Sequence, residues 1–184
     1  GYAPEGWNGL RDHLKSKGYS YEQMLQANLI QKSREKESYY DVFRNRVMVP
    51  ILDVSGNVIA FGGRLLEDGK QPKYLNTSDT PAFRKSKNLF ALNFAKDYCS
   101  DRMILCEGYM DVIALHGAGF SNAVATLGTA MTPDHARMMK RYTKSVVISY
   151  DADTAGQNAA DKAFRLLGEV GLEARLLKVE NAKD

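Results

Sequence analysis

The sequence predicts an α/β fold: a largely parallel sheet flanked by helices, preceded by a smaller mixed α/β lobe. From about residue 85 onward, short apolar runs alternate with segments of helical periodicity, and the links between them are short. This alternation is typical of parallel strands joined by right-handed crossover helices. The chain has 184 residues, of which 44% are apolar and 26% charged, so it can bury a core in one medium domain or two small ones.

The first part of the chain predicts the mixed lobe. Ser20 is suited to cap a helix, and Gly56 lies between two apolar runs in a position typical of a hairpin turn. In chain order, we predict helices at 7–17 and 21–29, a polar linker at 31–38, a hairpin with strands at 47–54 and 58–61, and a short strand at 73–76.

The second part predicts the parallel sheet and its helices. Thr132 is a preferred cap for a helix that begins at Pro133, and Gly171 is suited to end the last helix. In chain order, we predict a helix at 88–99, a strand at 102–107, a helix at 109–117, a strand at 122–126, a helix at 133–142, a strand at 145–150, a helix at 154–170 and a strand at 172–179. We therefore divide the chain near residue 84, into a basic lobe at 1–84 and an α/β domain at 85–184.

Acidic residues directly follow two of the apolar runs. Glu107 directly follows the apolar run 103–106, and Asp151 and Asp153 follow the apolar run 146–150. The carboxyl ends of parallel strands meet at one edge of a sheet, where open α/β sheets bind ligands. Carboxylate oxygens are hard ligands, so the convergence of these three side chains predicts a Mg²⁺ site, at which Mn²⁺ would substitute.

Helix capping explains the same acids without a metal. Asp153 directly precedes a predicted helix, where Asp is a preferred N-cap, and Asp151 would then be an exposed charge. Asp111 lies four residues after Glu107 and would either orient a metal ligand or act as a first-turn acid favoured by the helix dipole. On sequence grounds both interpretations stay open.

Composition excludes several classes of protein. No apolar run approaches the roughly 20 residues that span a bilayer, so we expect no membrane partner. Cys99 and Cys106 do not have the spacing of a zinc motif, so we expect reduced thiols and no zinc. The net charge of +3 is unevenly distributed, with many basic residues in the first half and the acidic clusters in the second. This distribution favours a protein that handles phosphodiesters.

Together, the motifs resemble a known family. A Glu-Gly strand end followed by an Asp-x-Asp-x-x-Gly strand end is similar to the Toprim domain, which topoisomerases, bacterial primases, and certain nucleases and recombination proteins share. The resemblance narrows to bacterial DNA primases, in order and with similar spacing, through residues 2–4 with Trp7 and through residues 43–51, 61–64, 72–76 and 107–112. The resemblance covers essentially the whole chain and implies that the second domain is a Toprim domain.

The resemblance implies a role for individual residues. Glu107, Asp151 and Asp153 match the metal-binding acids of the family, and Asp184 matches the first acid of a further Asp-Pro-Asp element. Lys85 matches a basic residue at the junction between lobe and Toprim domain. The positions that match contacts to nucleotide phosphates and template are Arg44, Arg46, Arg64, Lys73 and Asn76.

The resemblance also implies a reaction and its partners. We expect DNA-directed RNA primer synthesis in DNA replication, a nucleotidyltransferase reaction that joins NTPs on a single-stranded DNA template and leaves an RNA–DNA product. We expect a piece of a longer protein of the bacterial replisome, in the cytoplasm, that contacts the replicative helicase through regions outside these residues. Two alternatives are phosphodiester cleavage of the Toprim nuclease or topoisomerase type, and a non-catalytic module that binds metal and nucleic acid.

Overall fold

The computed structural model describes residues 1–34, 37–67 and 71–177 and divides into two compact units. The first unit contains Gly1–Ile51 and Val58–Arg84, and the second contains Leu52–Asn57 and the chain from Lys85 onward. The turn of the predicted hairpin is therefore part of the second unit. There Lys96 Nζ donates a hydrogen bond to the carbonyl of Val54 at 3.0 Å.

The first unit has two short helices and six strands in the ranges that the structure describes. Ser20 caps the second helix in a capping box: its hydroxyl accepts the Gln23 N–H at 3.2 Å, and the Gln23 side chain accepts the Ser20 N–H at 2.8 Å. One sheet has the strand order β1-β4-β5-β6 and a second consists of β2 and β3. The elements are α1 (Gly9–Ser16), α2 (Tyr21–Gln26), β1 (Tyr2–Ala3), β2 (Ile30–Lys32), β3 (Tyr39–Asp41), β4 (Arg46–Leu52), β5 (Val58–Leu65) and β6 (Tyr74–Asn76).

The predicted polar linker at 31–38 is wrong at its beginning. Strand β2 pairs antiparallel with β3, with Ile30 opposite Asp41 and Lys32 opposite Tyr39. Ile30 is buried, whereas Gln31 and Lys32 are exposed. A three-residue strand with one buried side chain is too short to produce a periodic pattern in the sequence.

The second unit contains the predicted parallel sheet, which confirms the fold class. Its strand order is β10-β9-β7-β8, and every neighbouring pair is parallel. In register, Cys106 lies beside Ser149 on one side and Ala125 on the other. The strands are β7 (Met103–Cys106), β8 (Ala123–Ala125), β9 (Ser145–Ser149) and β10 (Glu173–Leu176).

Helices flank this sheet and bury its apolar side chains. They are α3 (Leu92–Ala95), α4 (Tyr109–Gly117), α5 (Pro133–Met139) and α6 (Thr154–Glu169), and a 3-10 turn at Lys85–Lys87 precedes them. The core joins strand residues such as Leu105, Val146 and Ile148 to helix residues such as Met139 and Leu167. None of the helices in the described ranges is long and apolar enough to cross a bilayer.

The predicted helix at 88–99 is mostly wrong. Ala91 has a φ of +63°, a left-handed conformation that interrupts a right-handed helix. Phe90 instead donates its N–H to the carbonyl of Ala125 at 2.8 Å, as an isolated bridge beside β8. Apolar residues at helical spacing thus belong partly to an irregular segment that covers the sheet.

Candidate active site

Two acidic segments meet at the carboxyl edge of the parallel sheet. Glu107 follows β7 and Asp151 follows β9 after Tyr150. Because Cys106 and Ser149 are register partners, the two segments leave the sheet side by side. Glu107 Oε2 accepts a hydrogen bond from the Asp151 N–H at 3.3 Å, across 44 residues of sequence. The strand ends alone bring these two residues together.

The spacing Asp151-x-Asp153-x-x-Gly156 forms a tight turn into α6. Asp153 is the N-cap, and its Oδ1 accepts the Gly156 N–H at 2.7 Å. Gly156 is buried against the backbone of Asp151, where an added Cβ would lie 2.2 Å from the Asp151 carbonyl oxygen. Only a glycine fits this position without moving the turn. The capping interpretation of Asp153 is therefore realised in the structure.

Asp111 caps the other helix at this edge. Its Oδ2 accepts the Gly108 N–H at 3.0 Å, at the beginning of α4. Of the two interpretations open for Asp111, this contact is the one that the structure displays: a first-turn acid at the positive end of a helix. Its side chain is exposed.

The predicted convergence of three carboxylates is not present. In the parts of the chain that the structure describes, no three His, Cys, Asp or Glu side chains are grouped so that they could hold one metal ion. In this structure Glu107 Oε2 accepts the Asp151 N–H, and Asp153 Oδ1 accepts the Gly156 N–H. The donor chemistry still fits a hard cation, because all three side chains are exposed carboxylates at one sheet edge. Asp184 lies outside the described residues.

The groups beside this edge that could act as nucleophiles are held in their neutral forms. Burial, and to a smaller extent the Asp111 charge, raises the pKa of the Cys106 thiol to about 12. Burial, followed by the charge of Glu107, also raises the pKa of Tyr150 well above its ordinary value. A thiol with this pKa is protonated at neutral pH and is therefore a poor nucleophile. The exposed carboxylates are the groups of this edge whose chemistry suits a cation.

Arg46 does not have the position predicted for a phosphate-binding residue. It is 1% exposed, and its guanidinium donates to the backbone carbonyls of Gly63, Lys73 and Pro72 at 3.3, 3.2 and 2.8 Å. Gly63 makes room for it, because a Cβ there would lie 2.9 Å from Arg46 Cδ. Arg46 therefore joins β4 to β5 and to the segment that enters β6.

Arg44 lies against two aromatic rings. Its Cζ is 4.1 Å from the centroid of the Trp7 ring and 5.2 Å from that of Tyr40, and it also donates to the Asp41 carbonyl. Trp7 is 58% exposed, although it is the only tryptophan in the sequence. Trp7 and Tyr40 line a groove of about 920 Å³ that also carries Arg11. This combination of an exposed aromatic face and a guanidinium suits the stacking of nucleic-acid bases.

The remaining predicted contacts of the first unit lie on β5 and at β6. Arg64 is half-buried on β5, opposite Tyr74 in register, and Lys73 is exposed just before β6. Asn76 pairs with Gly62, and its Oδ1 is buried without a hydrogen-bond partner among the described residues. Arg64 and Lys73 are thus available for phosphate contacts in a way that Arg46 is not.

Lys85 begins the 3-10 turn of the second unit, and its carbonyl contacts a residue that sequence reasoning missed. The Nε2 of His135 lies 2.9 Å from the Lys85 carbonyl oxygen. His135 occupies the third position of α5 and completes a capping box with Thr132. A His three residues after a Thr cap was the available signal, but the tertiary contact to Lys85 has no signature in the sequence.

The sequence matches two family models in succession. Residues 1–96 match the DNA primase catalytic core, N-terminal domain, and residues 104–184 match a Toprim-like domain. A DNA primase of Clostridium acetobutylicum is 49% identical over 185 residues, which cover 100% of this chain. The chain spans 30% of the length of that relative.

Solved structures show the same fold. The E. coli primase catalytic core matches with a TM-score of 0.90 and 35% identity, over 100% of this chain and 60% of that chain. A DnaG primase catalytic domain bound to single-stranded DNA matches with a TM-score of 0.86 and 37% identity, over 100% of this chain and 58% of that chain. These findings confirm the resemblance inferred from the sequence: the chain belongs to the DNA primase catalytic core family.

Proposed function

We propose that the chain takes part in DNA-directed RNA primer synthesis as a nucleotidyltransferase. In this reaction the 3′-hydroxyl of one ribonucleotide attacks the α-phosphate of an incoming NTP, and pyrophosphate leaves. The single observation that carries the proposal is the contact between Glu107 and the Asp151 segment at the carboxyl edge of the parallel sheet. Phosphoryl transfer mainly requires positioning and charge stabilisation, which such an edge can provide.

Glu107, Asp151 and Asp153 would hold Mg²⁺, or Mn²⁺ in its place, with Asp184 as a further ligand. When bound, the metal supplies Lewis-acid catalysis and neutralises charge on the triphosphate. The chain's own contribution is to fix the ligands. The parallel register places Glu107 beside Asp151, and Gly156 together with the Asp153 cap fixes the turn between β9 and α6. Asp111 supports the site by holding the beginning of α4.

Single-stranded DNA is the proposed template. The Trp7–Arg44 pair supplies a face on which bases can stack, and Arg64 and Lys73 supply charge for phosphates. Asn76 and Lys85 are assigned to nucleotide or template on the strength of the family motif. Arg46 would support this surface indirectly, by fixing the strands that carry Arg64 and Lys73. We place this activity in the bacterial replisome of the cytoplasm, with the replicative helicase as a partner of regions outside these residues.

A cleavage reaction is less well supported. A topoisomerase-type reaction needs a tyrosine nucleophile, and neither Tyr109 nor Tyr150 beside the acidic edge has a motif that marks it as one. The pKa of Tyr150 is raised by burial and by Glu107. The curated relatives of the chain are named as DNA primases. The experiment that tests the proposal must therefore distinguish joining from cutting.

Labelled NTPs, a single-stranded DNA template and Mg²⁺ should yield short RNA products. We expect Asp151→Asn and Glu107→Gln to abolish these products, and Asp161→Asn, an exposed acid on α6, to leave them unchanged. Scission of the template without RNA synthesis would support the nuclease alternative. RNA synthesis that Asp151→Asn does not reduce would contradict the proposed site.

A further inference from the structure

The beginning of α5 is hydrogen-bonded to two consecutive carbonyls of the 3-10 turn Lys85–Lys87. His135 Nε2 lies 2.9 Å from the Lys85 carbonyl oxygen, and Thr132 Oγ1 donates to the Ser86 carbonyl at 2.9 Å. These contacts join segments that are 50 and 46 residues apart in the sequence. The backbone from which the Lys85 side chain starts is therefore held by α5.

The hydrogen bonds of His135 define its tautomer. Its Nδ1 lies 3.2 Å from the backbone nitrogen of Thr132, which can only donate, so Nδ1 is the acceptor. A neutral imidazole then carries its proton on Nε2 and donates to the Lys85 carbonyl. The side chain is fully buried, and burial lowers the pKa of His135, which favours this neutral form. The ring therefore accepts a hydrogen bond from the cap residue of α5 and donates one to the carbonyl of Lys85.

The turn that carries Lys85 has little stability of its own. It is a three-residue 3-10 segment, and such segments have poor hydrogen-bond geometry. A lysine ammonium sits on a flexible four-carbon stem, so its reach is determined by the position of its backbone. Because Lys85 is half-buried, a small displacement of this backbone changes where the ammonium emerges.

We propose that His135 is a positioning residue for Lys85: by holding the Lys85 carbonyl, it places the ammonium for contact with a phosphate of nucleotide or template. This inference rests on the proposed function, in which Lys85 contacts phosphate. His135 itself is fully buried, so its side chain has no exposed surface with which to contact nucleic acid. Its effect on binding must therefore pass through Lys85.

A double-mutant cycle tests this dependence. The probe is a labelled single-stranded oligonucleotide, titrated into the chain over a series of salt concentrations. Lys85→Ala should weaken binding about fivefold at about 0.1 M salt and reduce the log–log salt slope by about 0.7, the value for one phosphate contact on a single strand. His135→Asn keeps an acceptor for the Thr132 N–H but cannot reach the Lys85 carbonyl, and it should weaken binding in the same direction. In the Lys85→Ala background, His135→Asn should have no further effect.

His135→Gln is the matched control. Its amide can donate to the Lys85 carbonyl, and Gln is a favoured third residue of a capping box. We expect His135→Gln to restore binding and the salt slope to the native values. If His135→Asn does not fold, Thr132→Val tests the same turn through the lost bond to Ser86, with Thr132→Ser as its control.

The outcomes separate the inference from the proposed function. Lys85→Ala that binds with native affinity and slope would refute the role of Lys85, and the inference with it, while leaving the carboxylate site intact. Weakened binding by Lys85→Ala together with native binding by folded His135→Asn or Thr132→Val would overturn the inference alone. Equal weakening of binding by His135→Asn in the native chain and in the Lys85→Ala variant would also overturn the inference, because the effect would then not depend on Lys85.

Discussion

Gly156 lies so close to Asp151 that a Cβ on the glycine would be 2.2 Å from the Asp151 carbonyl oxygen. This close approach lets the turn after β9 enter α6 at once, with Asp153 as its cap. The glycine of the Asp-x-Asp-x-x-Gly motif is therefore required by space, since its backbone φ is not among the left-handed values found elsewhere in the structure.

Gly156→Ala should destabilise the second unit by about 1–3 kcal/mol, because the methyl group forces the backbone of Asp151 to move. The matched control is Gly168→Ala in the same helix, where an added Cβ meets nothing within 4 Å. There the substitution should stabilise the helix by up to about 1 kcal/mol. Calorimetric unfolding of both variants measures the difference. Equal stability of the two would show that the contact at Gly156 is unimportant.

Arg46→Ala should lower the free energy of unfolding of the first unit by about 3 kcal/mol, since it leaves buried carbonyls without donors. Denaturant titration followed by the fluorescence of Trp7 reports on this unit. Arg64→Ala is the comparison: it should leave stability nearly unchanged and weaken binding of single-stranded DNA, with a smaller salt dependence. An Arg46→Ala variant that is as stable as the native chain but binds DNA more weakly would contradict this structural role. It would support the contact with phosphate that the sequence motif suggested for Arg46.

Trp7→Ala should weaken binding of a single-stranded oligonucleotide by about 1–3 kcal/mol, the contribution of one base stacked on an aromatic ring. Trp7→Phe should retain part of this affinity, because it keeps an aromatic face. The measurement is fluorescence anisotropy of a labelled oligonucleotide, and quenching of Trp7 in the native chain gives a second observable. Native affinity in Trp7→Ala would exclude this ring from the template surface.

Stability should fall in mildly acidic solution because of His135. Burial lowers its pKa from the ordinary value of 6.5, against the opposing effects of backbone hydrogen bonds to Lys85 and Asn88 and of the Asp134 charge. Below pH 6.5 the unfolded chain therefore binds a proton that the folded chain does not. The contribution of His135 to the free energy of unfolding is fully present above pH 6.5 and decreases below it.

Denaturant titrations at a series of pH values measure this dependence, with His135→Gln as the control, which should remove it. Asp53 and Asp134 have pKa values lowered from 3.8, so their contribution is lost at a lower pH and can be separated. A native chain whose stability does not change between neutral pH and pH 5 would contradict the buried, neutral state of His135.

The sequence could predict the sheet and the placement of its acids because both are local patterns. An apolar run followed by an acid and a helical segment marks a strand end, and parallel strand ends share one edge. These patterns place Glu107 and Asp151 at strand ends, where the structure has them, and they leave the Asp153 cap as one of two open interpretations. Asp153 can cap α6, bind a metal ion or do both, depending on what each of its two carboxylate oxygens contacts. No pattern in the sequence specifies these contacts.

Tertiary contacts account for what the sequence could not predict. Arg46 has the charge and the N–H donors of a phosphate-binding residue, but it is buried because Gly63 leaves space beside it. The 88–99 segment has helical spacing, but the left-handed Ala91 directs Phe90 to pair with Ala125. His135 resembles an ordinary helix residue until its distance to Lys85 is known. In each case the decisive partner lies far away in the sequence.

The most direct test of the account is the position of Mn²⁺ in crystals soaked with the metal and a nucleoside triphosphate. We expect an anomalous peak at the carboxyl edge of the parallel sheet, within bonding distance of Glu107 and Asp151, with the triphosphate on the same ion. Glu107→Gln crystals should lose the peak while Asp161→Asn crystals keep it. A triphosphate bound elsewhere, or a metal that contacts neither Glu107 nor Asp151, would contradict the account.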